Sequence, residues 1–190
     1  MSRRVLPLLR ILIVAVLAGC GPRNPRVDVV TPFGTIRVEV DSARAPRTAA
    51  NFLRYVDEGR YAEASFYRVR GSEAELMQPR DAIVQGGLYM DDDTTRLLPP
   101  IGLESTRQTG LRHGEGTVSM ARFDENSARA EFFIVLGEQP HLDYRDEQRQ
   151  GYAAFGRVVD GMELVEQISK LPVTEERLAR PIPFRVVRVK

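Results

Sequence analysis

The chain holds one cysteine (Cys20), two histidines (His113 and His141) and no tryptophan, so the chemistry open to it is narrow. A single cysteine excludes an internal disulfide and a thiolate-built zinc site, and two histidines far apart in sequence argue against a histidine-built metal centre. Asp91-Asp92-Asp93 lacks the Asp-x-Asp-x-Asp-Gly spacing of a calcium loop and reads as a solvated loop. There is no Gly-rich phosphate loop, no serine, histidine and aspartate ordered around a nucleophile elbow, and no persuasive pair of carboxylates. The basic residues are almost all arginine, 25 of 27, and the two lysines are Lys170 and Lys190. The arginines are scattered, with no run longer than Arg3-Arg4. With 26 acidic residues they leave a net charge of +1, which implies no broad affinity for nucleic acid.

Cys20 has an informative setting. Arg3, Arg4 and Arg10 precede an apolar run, Ile11 to Leu17, and the small residues Ala18 and Gly19. The run is too short to cross a bilayer core of about 30 Å as a helix. Leu17-Ala18-Gly19-Cys20 resembles the bacterial lipobox, which implies a diacylated Cys20, removal of residues 1–19 and acylation of the new amine. Several acyl chains anchor stably where one does not. Gly21, rather than Asp, after the cysteine favours the outer membrane in a cell with two membranes. The expected organisation is a signal peptide over 1–19, a lipidated cysteine and linker over 20–26, and one globular domain over 27–190. That domain would work outside the cytoplasm, at the cell envelope. Loss of residues 1–19, which contain three Arg and no acid, takes the charge from +1 to −2.

The elements that must position any site are mostly strands. Val27–Val30 and Thr35–Val40 flank the turn Thr31-Pro32-Phe33-Gly34 as a hairpin. Pro46 to Glu58 predicts a helix, with Ala49, Phe52, Leu53 and Val56 at helical spacing and Gly59 as a stop. Further strands are expected at Phe66–Val69, Ile83–Gln85, Thr117–Met120, Phe132–Leu136, Ala154–Val159 and Phe184–Val189. A second helix runs from Gly161 to Lys170, and residues 88–116 read as loop. Apolar residues make up 43% of the chain and charged residues 28%, the balance of one domain with a real core. Eight strands and two helices suit a barrel with a helix at each open end.

Four segments, in order, carry a resemblance. Phe66-Tyr67-Arg68-Val69, Val84-Gln85-Gly86-Gly87, Gly116 to Arg122 with Phe132-Phe133-Ile134, and Gly151 to Val158 together resemble the cyclophilins, a family of peptidyl-prolyl cis–trans isomerases. Ala45 to Phe52, Leu142-Asp143 and Gly161 to Val165 support it. The resemblance implies an eight-stranded antiparallel closed barrel capped by two helices, a reaction without cofactor or metal, and proline-containing peptide segments of exported proteins as partners of a monomer. It implies Arg68, Gln85 and Phe133 as catalytic residues: Arg68 aimed at the prolyl nitrogen, Gln85 hydrogen-bonded to substrate backbone, and Phe133 in the proline pocket. Ile83, Leu142 and Tyr152 would line that pocket. Ala121, Arg122 (mainly through its backbone) and Glu131 would border the groove. Alternation along Phe132-Phe133 sends one ring to the core and the other to the groove.

The chain departs from the family pattern in four places. Residues 70–81 read as an inserted loop between Arg68 and Gln85. Ala82 replaces an aromatic and would thin the pocket wall. Glu131 stands where the family has Gln, and His141 where it often has an aromatic whose loss puts cyclosporin-type binding in question. If the motif places Glu131 beside Arg68, their pairing would draw donors from the reaction, and Glu131→Gln would be modestly faster. With no titrating acid or base in the scheme, activity would be flat between about pH 6 and 8. Three readings stay open: an active isomerase, favoured by Arg68, Gln85 and Phe133; a weakly active peptide-binding module or chaperone, favoured by Ala82 and Glu131; and a lipoprotein whose barrel is only a scaffold for envelope assembly.

Overall fold

The computed structural model describes residues 24–71 and 82–189; Cys20, the lipobox and most of the expected insertion lie outside them. In chain order the elements are β1 (Arg26–Thr31), β2 (Gly34–Val40), α1 (Pro46–Asp57), β3 (Ala64–Arg70), β4 (Ile83–Gly87), the one-turn helix α2 (Thr106–Thr109), β5 (Thr117–Met120), β6 (Phe132–Val135), β7 (Ala153–Asp160), α3 (Met162–Ser169), β8 (Val173–Thr174) and β9 (Arg177–Arg188). All pairings are antiparallel, in the order β1-β2-β7-β5-β6-β4-β3-β9, and a further β1–β9 pairing closes the ring. This is the expected eight-stranded closed barrel.

Three details depart from the expectation. A two-residue strand, β8, pairs with the start of β9 as a hairpin on the barrel. Strand β9 starts at Arg177, well before Phe184, and carries Pro181 and Pro183. Around them β9 is paired with β3 alone, beyond the positions held by β8 and before those held by β1, so a missing N–H on the open side costs no ladder bond. Within the expected loop 88–116, Ser105 and Gln108 form a capping box that starts α2.

Helix α1 buries Ala49, Phe52, Leu53 and Val56 as its spacing requires. Its first turn has no side-chain cap of its own. The carboxylate of Glu104 instead accepts from Arg47 N at 3.0 Å and from Thr48 N and Oγ1 at 2.6 Å each, satisfying orphan donors at the positive end of the helix. The core is aromatic. Phe66 and Phe184 lie 4.6 Å apart between ring centroids, and Phe52 meets Phe155 at 5.0 Å and Phe132 at 5.6 Å. Gly86 is a packing requirement, because a Cβ there would stand 2.7 Å from Ser65 O and 2.8 Å from both Phe66 and Phe184.

Candidate active site

Register turns the sequence motifs into a site. Val69, Val84, Ile134 and Val118 pair in turn across β3, β4, β6 and β5 and are at most 1% exposed; they face the barrel interior. The next row is Arg68, Gln85, Phe133 and Ser119, paired in the same way. Because side chains alternate along a strand, that row lies on the outer face. Three residues distant in sequence thus become direct cross-strand neighbours. A bulge at Phe66/Arg68 shifts the register of β3, so Tyr67 and Arg68, though consecutive, both reach the outer groove, which is what a bulge does to local side-chain direction.

Arg68, Gln85, Phe133, Ile83, Ala121, Arg122, Glu131, Leu142 and Tyr152 all line one cavity of about 650 Å³. Phe133, Ile83 and Leu142 form its apolar floor at 2%, 6% and 6% exposure. Tyr152 stands edge-on to Phe133 with centroids 5.4 Å apart. Phe132 is in the core and Phe133 in the groove, as alternation requires. Ala82 does not line the cavity; its carbonyl accepts from Leu136 N. His141 lies on an exposed 3-10 turn.

A chain of hydrogen bonds crosses the groove. Arg68 Nη1 donates to Gln85 Oε1 at 3.0 Å, Gln85 Nε2 to Tyr67 Oη at 2.7 Å, and Tyr67 Oη to Glu131 Oε2 at 2.6 Å. Glu131 Oε1 also accepts from Leu88 N at 2.7 Å. Burial raises the Glu131 carboxyl to about 7 against the bonds from Tyr67, Leu88 and Tyr89 that favour its charge. Burial, and Glu131 beside it, push the Tyr67 hydroxyl up, so it stays a donor. Gly87, at φ +150°, leaves room for that carboxylate; a Cβ there would be 2.5 Å from Glu131 Oε1.

This corrects the expected Glu131–Arg68 pair: Gln85 and Tyr67 stand between them. The carboxylate on Arg68 is Glu176, whose Oε2 accepts from Nε at 2.9 Å and Nη2 at 2.5 Å. Its other oxygen meets Arg70 Nε at 2.9 Å. Arg122 also differs from expectation in engaging its side chain: Nε and Nη2 donate to Gly151 O at 3.0 and 2.7 Å, with the guanidinium 5.2 Å above Tyr152.

Sequence reasoning missed Tyr67, Glu176 and a buried chain beneath Phe133. His113 lies between Asp143 Oδ1 (2.8 Å from Nδ1) and Ser119 Oγ (2.9 Å from Nε2), and its ring stacks on Phe133 at 6.1 Å. Burial lowers the His113 pKa despite Asp143, so the ring is neutral at pH 7. The set has serine, histidine and aspartate in hydrogen-bonding sequence, but Ser119 is 0% and His113 1% exposed and neither lines the cavity. A nucleophile that no substrate reaches is structural.

Comparison with known proteins agrees. The family described as cyclophilin type peptidyl-prolyl cis-trans isomerase/CLD matches residues 26–190. The Streptomyces antibioticus peptidyl-prolyl cis-trans isomerase cyp18 is 34% identical over 168 residues, 86% of this chain and 95% of that protein. Peptidyl-prolyl cis-trans isomerase B of Escherichia coli is 32% identical over 159 residues, 80% of this chain and 89% of that protein. In three dimensions the fold is similar to a Cryptosporidium parvum cyclophilin type peptidyl-prolyl cis-trans isomerase, with a TM-score of 0.68 at 22% identity over 88% of this chain and 98% of that one. The same parasite protein in the presence of the dipeptide Ala-Pro gives a TM-score of 0.67. The chain belongs to the cyclophilin-type peptidyl-prolyl cis-trans isomerase family.

Proposed function

We propose that this isomerase accelerates rotation of X–Pro bonds in exported proteins as they fold, working as a monomer at the cell envelope from a lipid anchor on Cys20. The barrier it lowers is about 18–20 kcal/mol and comes from delocalisation of the prolyl nitrogen lone pair into the carbonyl. Uncatalysed rotation takes tens of seconds or longer and can limit folding. A donor directed at the nitrogen favours the twisted, pyramidal state over the planar one, so rate follows from complementarity to the transition state, with no proton transfer or covalent step.

The observation that carries this reading is the state of Arg68. Of five guanidinium donors, Nε and one on Nη2 go to Glu176 and one on Nη1 to Gln85. Two remain for substrate, on a group already held in place at the lip of the apolar floor formed by Phe133, Ile83 and Leu142. Phe133, Ile83, Leu142 and Tyr152 grip the ring, which keeps the nitrogen over the guanidinium. The test is exchange of an Ala-Pro peptide by the full chain: enhancement well above the uncatalysed rate supports turnover, and binding without enhancement contradicts it.

The anchor rests on the lipobox sequence and on Cys20 being the sole cysteine. Signal removal, acylation and placement in the outer membrane, on its periplasmic face, follow from that motif and from Gly21. In cells, Cys20→Ser should leave a soluble or unprocessed form. A Cys20→Ser protein that is cleaved and still partitions into detergent like the wild type contradicts the anchor.

A further inference from the structure

The carboxylates of the groove already have partners. Glu176 neutralises Arg68 and Arg70, Asp91 Oδ2 has Arg96 Nε as its charge partner at 3.2 Å though without a hydrogen bond, and Glu131 is bonded to Tyr67 and Leu88. Three groove arginines, Arg122, Arg129 and Arg177, have no such partner among the described residues, and two of them, Arg177 and Arg122, lie against aromatic rings. Arg177 is the cross-strand neighbour of Arg68 on β9, and like charges placed directly opposite each other on a sheet repel. No side-chain hydrogen bond or ion pair is formed by Arg177 with a described residue. Its guanidinium lies instead 4.6 Å above the Tyr89 ring and 5.3 Å from the Tyr67 ring, and these two rings stack at 5.2 Å. Arg122, beside the proline pocket, spends two donors on a neutral carbonyl and stacks on Tyr152.

Both side chains are therefore ordered by aromatic faces before any ligand arrives, which removes much of the entropy cost of using them. Both keep unneutralised charge and free donors suited to a carboxylate. One sits next to the catalytic arginine and the other on the pocket wall, so a chain laid across the groove passes both. Tyr89 at 52% and Phe123 at 86% exposure add apolar contact on the rim, and aromatic and arginine side chains are the residues that dominate recognition surfaces.

Resting on the reading of the groove as a proline-peptide site, we propose that it selects X–Pro segments with acidic side chains flanking the proline, and that Arg177 and Arg122 read that charge. The attraction acts between partly exposed groups, so it is moderate and screened by salt.

The test uses the full chain and three peptides of equal length: Ala-Glu-Ala-Pro-Glu-Ala, the all-alanine counterpart, and the counterpart with Lys at both Glu positions. Exchange NMR at about 20 mM salt should give kcat/KM about five- to tenfold higher for the Glu peptide than for the Lys peptide. At about 0.5 M salt, where the Debye length is only a few ångströms, the ratio should fall below about two. In an Arg122→Gln/Arg177→Gln double variant it should approach one at low salt. Equal rates, a preference for lysine, or a ratio that survives in the double variant overturns the proposal. Titration of the same peptides gives dissociation constants that read the charge preference without turnover. Tighter binding of the Glu peptide with no exchange contradicts the isomerase reading alone, and equal affinities for the Glu and Lys peptides contradict this one.

Discussion

The Glu176 carboxylate grips Arg68 side-on, through Nε and Nη2, from the tip of a two-residue hairpin in which Glu175 and Glu176 both have positive φ, 49° and 64°. Thr174 and Arg177 pair on either side. Such a turn suits Asn and Gly, and a residue with a Cβ costs about 1–2 kcal/mol in the left-handed region. The tip is seated on β3 by Val69 N donating to Glu176 O at 2.9 Å. Glycine would make the same turn without strain, but it would leave Arg68 without its carboxylate.

Glu176→Gly should therefore separate stability from activity. The melting temperature should be unchanged or higher, because backbone strain is relieved. The value of kcat/KM should fall about tenfold, the loss expected when about 1.4 kcal/mol of preorganisation goes. Circular-dichroism melts alongside peptide exchange measure both; equal rates would show that Gln85 alone positions the guanidinium.

Glu131 gives a pH prediction. With its pKa raised from 4.5 to about 7, the native state holds a proton that the unfolded state releases between those values. Stability should therefore fall as pH rises through that window, by about 3 kcal/mol at most. Glu131→Gln lacks this slope, so its melting-temperature advantage should grow from pH 5 to pH 8. A constant difference would contradict the raised pKa.

Activity should move the other way. Ionised Glu131 makes Tyr67 the donor, which makes Gln85 the donor to Tyr67 and turns the Gln85 oxygen toward Arg68. A protonated Glu131, or a Gln there, can donate to Tyr67 and reverse that chain. The kcat/KM of the wild type should rise about two- to fivefold through pH 7, and Glu131→Gln should be slower by a similar factor with no step. This reverses the sign expected from a direct Glu131–Arg68 pair and replaces a flat pH profile. A faster Glu131→Gln protein would contradict the network's polarity.

The buried His113 chain carries a stability prediction. His113→Leu leaves Asp143 and Ser119 without their imidazole partner in the interior, which costs about 2–4 kcal/mol, or roughly 5–10 °C in melting temperature for a domain of this size. Because burial lowers the His113 pKa, the unfolded state takes up a proton below pH 6.5 that the native ring resists. That part of the acid destabilisation should be absent in the variant. An unchanged melting temperature would contradict the structural role.

Much of this was legible in the chain. Alternation in Phe132-Phe133, helical spacing in Ala49, Phe52, Leu53 and Val56, and the ordered segments around Arg68, Gln85 and Phe133 are local signals, and each corresponds to a side chain where the register puts it. The rest depends on contacts distant in sequence or on broken local rules. Glu176 reaches Arg68 from 108 positions away in a turn made of Glu-Glu, which carries none of the usual turn residues. The bulge that brings Tyr67 beside Gln85 leaves no mark in Phe66-Tyr67-Arg68. His113, Ser119 and Asp143 are ordinary loop and strand residues until the barrel closes around them.

A preorganised guanidinium lowers the rotation barrier, and the decisive measurement is exchange NMR of an Ala-Pro peptide with Arg68→Ala. Loss of one directed, charged donor typically costs about 10²–10³ in rate. Arg68→Ala should show a loss of that size in a protein that melts close to the wild type, with Arg68→Lys also poor because an ammonium lacks the planar fork. Equal exchange rates for a folded Arg68→Ala protein and the wild type would contradict it.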